Sequence, residues 1–189
     1  MDLIAGIQDA GNEFGRLVDG TRPDQLDNPT ACANFTVRDL INHVASGATM
    51  FAIAFDKGSV PDDELGPLFG DVLGDDYKGA FAAALDQAAT AFTRPGALEG
   101  NVSLPFGEFS REDALGLAVF DVIVHASDLA RATDQELRLT EADAAIGLEL
   151  ARMHIVDAMR DGNTFADIVI IDEDSGTWAE LLAYTGRQP

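Results

Sequence analysis

Apolar residues recur along this chain every three or four positions, the period of helices with one buried side. Leu3, Ile4, Ile7, Phe14, Leu17 and Val18 mark a first helix from Asp2 to about Val18. Gly20, Pro23 and Pro29 punctuate the loop after it. A second helix starts at Thr36, whose spacing to Asp39 resembles a capping box with Asp in place of Glu, and runs to about Phe55. Val37, Leu40, Val44, Ala48, Phe51 and Phe55 share one side of it. A third helix spans about Asp76 to Phe92, with Phe81, Leu85, Ala88 and Phe92 inward. Ser110 with Asp113 opens a fourth, to about Ala132, and Thr140 with Asp143 opens a fifth, to about Arg160.

The segments between are shorter. Residues 57–76 are rich in Gly, Pro and Asp and read as a long connection whose Leu65, Leu68, Phe69, Val72 and Leu73 pack back onto the helices. Asn101 to Phe109 reads as a short extended piece. Phe165 to Ile171, apolar and β-branched, reads as a lone strand or an extended arm. A last short helix covers about Thr177 to Tyr184, with Gly186 as its C′ glycine. There is no internal repeat and no low-complexity tract. The expected fold is all-α: an antiparallel four-helix bundle with additional short helices and a short extended C-terminal segment. A length of 189 residues suits a single domain, 1–189.

Composition narrows the partners. A formal net charge of −21 opposes binding to nucleic acid and to anionic membranes. No apolar run approaches the roughly 18–20 residues that span a bilayer. The start of the chain lacks a basic stretch followed by an apolar one. The single cysteine, Cys32, excludes an internal disulfide framework and reads as a bystander thiol. A cytoplasmic location is the expectation. No phosphate-binding glycine loop, nucleophile elbow or C-x-x-C pair is present.

The fourth helix carries the unusual chemistry. At about 100° per residue, Ala114, Leu117, Ala118, Asp121, Val122, His125, Leu129 and Ala132 fall on one broad side. Asp121 and His125 thus stand one turn apart in an apolar stripe. A carboxylate there loses hydration and needs a partner. Two such side chains pointing one way are able to chelate one ion. On the second helix, His43 lies at the edge of the apolar stripe, with Gly47 one turn away leaving room beside it. If these helices face each other, two imidazoles and a carboxylate meet. That donor set suits Zn²⁺, Ni²⁺, Fe²⁺ or Mn²⁺ with one coordination position open. The same pattern also fits a polar core network, with Asp121 paired to His125 or an arginine and His43 as a satisfied edge histidine. Asp128, one turn beyond His125, fits either a hydrogen bond to a ligand histidine or a surface pair with Arg131. His154 reads as a surface or partly covered histidine. Ser46 and Thr49 border the same region with nothing to activate them. The acidic runs Asp62-Asp63-Glu64 and Asp172-Glu173-Asp174 read as solvated loops.

Three segments carry a family resemblance. Cys32-Ala-Asn-Phe-Thr-Val-Arg-Asp-Leu-Ile-Asn-His43 resembles the C-x-x-W-x-V-x-D-L-x-x-H segment of mycothiol-dependent maleylpyruvate isomerase-like proteins. Asp121-Val-Ile-Val-His125-Ala-Ser-Asp128-Leu-Ala-Arg-Ala is similar to their E-x-x-x-H-x-W-D-L-A-x-A segment. The ending Leu182-Ala-Tyr-Thr-Gly-Arg-Gln-Pro189 is similar to their L-x-x-x-G-R-x-P. The resemblance implies a DinB/YfiT-like four-helix bundle with an open metal site on His43, Asp121 and His125. It implies a divalent metal, zinc first, and a low-molecular-weight thiol such as mycothiol attacking a small electrophile in transfer or isomerisation. It also suggests a homodimer. Asp121 stands where Glu is usual, and Phe35 and Ser127 replace two tryptophans; the small Ser127 is expected to open or reshape the pocket. These departures keep a second expectation alive, a non-catalytic metal or small-ligand binding module.

Overall fold

A computed structural model of the protein describes residues 2–32, 34–162, 164–172 and 174–189. Met1, Ala33 of the Cys32–His43 segment and Glu173 of the second acidic run lie outside the described residues. Four long helices make the body of the molecule: α1 (Leu3–Gly20), α2 (Val37–Lys57), α4 (Tyr77–Phe92) and α5 (Arg111–Ala132). The short α3 (Asp62–Leu68) sits in the connection between α2 and α4. A hairpin of β1 (Asn101–Leu104) and β2 (Gly107–Ser110) leads into α5. Then follow α6 (Glu141–His154) and α7 (Thr177–Tyr184). Helix α1 packs on α5 and α4, and α2 packs on α4 and α5. Helix α6 lies on α5, and α7 lies on α6. Among the described residues, no helix is long and apolar enough to cross a membrane.

Local chemistry starts the helices where the sequence reading places them. Thr36 accepts from the Asp39 backbone N–H while the Asp39 carboxylate accepts from Thr36 N–H. Thr140 and Asp143 repeat this box. Ser110 Oγ accepts from Asp113 N–H, and Asp76 accepts from Gly79 N–H. Each satisfies a backbone donor that the first turn leaves unpaired.

Two apolar cores fill the bundle. One gathers Phe14, Leu17, Leu40, Ile41, Phe81 and Leu129. The other gathers Phe51, Phe55, Phe92, Leu115, Val119 and Leu148. Ala48 and Val122 touch both, so the junction lies beside Gly47 and Asp121.

Several expectations need correction. The fifth helix ends at His154, not near Arg160, and a short 3₁₀ turn over 157–159 follows. The 101–109 piece is not one extended segment but two strands of a hairpin, because the chain reverses at Pro105 and Phe106. Phe165 to Ile171 forms no strand. Its Val169 N–H reaches only the Ala183 carbonyl, and Ile170 is 97% exposed. In the 57–76 connection Leu68 and Leu73 pack inward, but Phe69 is 77% exposed.

One buried charge ties the first helix to the loop before α6. Glu13 accepts two bonds from Arg16 and one from the Arg138 backbone N–H. Burial raises its carboxyl pKa, yet these donors outweigh burial and leave it below the usual 4.5. A lowered pKa stabilises the fold above the unfolded value, and that contribution fades as pH falls through the folded one. Glu13→Gln is therefore expected to cost about 1–3 kcal/mol at pH 7. The gap to the parent protein should narrow toward pH 3, as read by thermal unfolding at both pH values.

Candidate metal centre

His43 projects from α2, and Asp121 and His125 project from α5, which packs against it. The Asp121 carboxylate lies between the two imidazoles. One oxygen is 3.4 Å from His125 Nε2, and the other is 3.6 Å from His43 Nε2. The two imidazoles meet edge to face, with ring centroids 5.0 Å apart. One donor atom from each of the three residues falls within 4.8 Å of the others. His125 is buried, Asp121 half-buried and His43 exposed, so the cluster opens to solvent on the α2 side.

Behind His125 runs a chain of charge. Its Nδ1 donates to Asp128 Oδ2 at 3.0 Å, which fixes the ring orientation and leaves Nε2 facing Asp121. Asp128, 2% exposed, accepts from Arg187 through Nε at 2.8 and 3.0 Å and through Nη2 at 2.7 Å. Arg187 is itself 8% exposed and also donates to the Thr185 carbonyl. Burial pushes the Asp128 carboxyl up, but His125 and Arg187 hold it below the usual carboxylate range. Burial likewise pushes Asp121 up, and the two imidazoles bring it far down. For His125 burial opposes protonation; the carboxylates of Asp121 and Asp128 prevail and lift it to about 9.

Arg187 arrives by a turn written in the sequence. Gly186 follows α7 at φ 80°, the left-handed conformation that favours glycine. Its N–H reaches Ala183 and that of Arg187 reaches Leu182, the paired bonds of a Schellman motif. A Cβ at Gly186 would come within 2.8 Å of Ala166, so conformation and space both demand glycine there.

Two hollows flank the triad. An outer groove of about 480 Å³ lies over α2 and is lined by Phe35, Asn42, His43, Ser46, Phe69 and Phe106 among others. An inner chamber of about 140 Å³ lies between α1, α2, α4 and α5, with Asp121 in its wall. Gly47 lines both.

The other candidates fall elsewhere. Asp128 pairs with His125 and Arg187 rather than with Arg131, which donates to the Gln188 carbonyl. Ser127 lines neither hollow, because its position on α5 turns it aside; Phe35 does line the outer groove, its ring 5.6 Å from that of His43. Ser46 spends its hydroxyl on the Leu68 carbonyl, and Thr49 on Ala45. His154 stacks at 6.4 Å from Phe120, outside the cluster. Burial pushes the Cys32 thiol up to about 11, which leaves it protonated at neutral pH. Arg187 is the residue that pattern reading of the helices missed. The signal for it lies in the G-R-x-P ending, Gly186-Arg187-Gln188-Pro189.

The profile of the mycothiol maleylpyruvate isomerase N-terminal domain matches residues 7–130. The chain belongs to that family. Two uncharacterized proteins of Mycobacterium tuberculosis, from strains H37Rv and CDC 1551, are each 32% identical over 188 residues. The match covers 99% of this chain and 98% of each relative. The crystal structure of a histidine-to-alanine mutant of the mycothiol-dependent maleylpyruvate isomerase superposes with a TM-score of 0.67. That likeness covers 93% of this chain and 77% of the other at 16% identity, and it shows the shared fold. The family's all-α, DinB-like bundle is thus the fold of this chain.

The supporting pair yields a direct test. Removing Arg187 leaves a buried carboxylate with one partner fewer, and breaking such a pair costs about 3–5 kcal/mol. Arg187→Ala is expected to lose about that much in urea unfolding. Arg131→Ala, at an exposed contact, should stay within about 0.5 kcal/mol.

Proposed function

We propose that His43, Asp121 and His125 hold one divalent metal ion, zinc first, with nickel, iron or manganese as alternatives. The protein then serves thiol-dependent transfer or isomerisation of a small electrophile. The observation that carries this reading is the convergence of two imidazoles and a carboxylate from two helices within 4.8 Å. The donor set fits such an ion. Bonds of about 2.0–2.1 Å around a tetrahedral zinc set neighbouring donors roughly 3.4 Å apart. One Asp121 oxygen lies 3.4 Å from His125 Nε2 and the other 3.6 Å from His43 Nε2, so small side-chain shifts bring one donor from each residue to that spacing.

Three protein ligands leave a position open for an incoming group. When bound there, the metal lowers the pKa of a thiol so that thiolate is available near neutral pH. The remaining work falls to the chain itself. Asp128 keeps the His125 proton on Nδ1 and so aims Nε2 at the centre. Arg187 keeps Asp128 in place. The exposure of His43 gives reactants access from the outer groove. The thiol we favour is of the mycothiol type, since the family and the structural neighbour both bear that name.

Metal content by mass spectrometry tests the site. The full chain reconstituted with Zn²⁺ should hold one ion per molecule. His43→Ala should weaken zinc binding by more than the roughly 10–100-fold that loss of a supporting residue costs. Because His43 is exposed, stability without metal should change by less than about 0.5 kcal/mol. Unchanged zinc in His43→Ala would overturn the site. Stoichiometric zinc with no consumption of thiol alongside any model electrophile would leave a non-catalytic metal or small-ligand binding module instead.

A further inference from the structure

The inner chamber has no structural need to exist. Its wall is apolar over most of its area, with Gly11, Val44, Phe51, Phe81, Ala118 and Val122 prominent. Voids of this kind weaken a packed core, because the atoms around them lose contacts. One larger side chain would fill it. Gly47 stands in the middle of α2, where glycine weakens a helix relative to alanine. Nothing in the backbone requires it: Gly47 is not among the positive-φ glycines, and a Cβ there would meet nothing within 4 Å. The glycine keeps space open and does nothing else visible for the fold.

The chamber also has an entrance and an end. Gln8, Asn12 and Asp86, all exposed, line it where α1 meets α4, so solvent reaches it from that side. Asp121 stands in the α5 wall and belongs to the triad. Its volume of about 140 Å³ is close to the roughly 150 Å³ of an engineered apolar cavity large enough to bind benzene. A hollow of that size, with a mostly apolar wall and the carboxylates of Asp86 and Asp121, disfavours sugars, nucleotides and anions, whose desolvation it does not repay.

We propose that this chamber receives the apolar body of the electrophile, a hydrocarbon group about the size of one benzene ring. Its reactive end faces Asp121, and Gly47 is the residue that sets the size accepted. The inference rests on the thiol-dependent reading above and names the substrate class that reading leaves open.

The test uses the full chain with ¹³C-labelled methyl groups and toluene as the probe. Toluene should give saturable shifts at the methyls of Val44, Ala118 and Val122. Gly47→Leu adds a branched side chain on the wall that the chamber shares with the outer groove and should weaken toluene binding by at least about tenfold, the effect of one or more methylenes on an apolar pocket. Gly47→Ala adds one methyl into open space and should give a smaller loss. Zinc content should stay at the parent level in both variants, since the three donors are untouched. Should Gly47→Leu fail to fold, Ala118→Leu fills the chamber from the α5 side and gives the same readout. Toluene shifts confined to surface methyls, or equal affinity in the filled variants, would overturn the proposal. Toluene binding that the filled variants lose, without any thiol consumption, would reject the thiol-dependent reading and keep the chamber as a ligand site. Thiol consumption without toluene binding would do the reverse.

Discussion

A buried carboxylate with a cation on one side and an imidazole on the other holds together the part of this molecule where His43, Asp121 and His125 meet. Asp128 is nearly closed to solvent, yet it stays charged because Arg187 and His125 both bond to it. Desolvating a carboxylate costs several kcal/mol unless its oxygens are well paired. Here three bonds from one guanidinium and one from an imidazole do the pairing. The pair therefore ties the C-terminal turn to the last turns of α5. It also orients His125, whose Nε2 faces Asp121. Structure at the tail of the chain and chemistry at its centre are parts of one electrostatic unit.

The second organising feature is a mismatch between two cores. Phenylalanine, leucine and isoleucine fill each end of the bundle, while small residues meet at the junction: Gly47, Ala48, Ala88 and Ala118. Close packing fails there and leaves the inner chamber beside Asp121. The outer groove approaches the same cluster from the α2 side, rimmed by the exposed rings of Phe69 and Phe106. The triad therefore has access from two directions that differ in size and polarity. Such an arrangement suits two reactants that differ in the same way.

The helices were legible because their starts and faces are local matters. A Thr or Ser followed three residues later by Asp satisfies the first-turn donors whatever the rest of the chain does. The failures lie where local preference is weak. Residues 155–160 continue a helical pattern, but α6 stops at His154 and the backbone turns extended at Ile155. Phe165 to Ile171 has strand-forming residues and no neighbouring strand to pair with among the described residues, so it stays irregular.

The sequence by itself determined the amphipathic helices, their caps, the glycine turn after α7 and the placing of Asp121, His125 and Asp128 on one side of one helix. Those follow from bond geometry and a period of 3.6 residues. Tertiary structure alone decided that His43 reaches Asp121, that Arg187 and not Arg131 meets Asp128, and that small residues on four helices enclose a chamber. These depend on how the helices cross and where the long connections deliver the chain, which no stretch of neighbouring residues encodes.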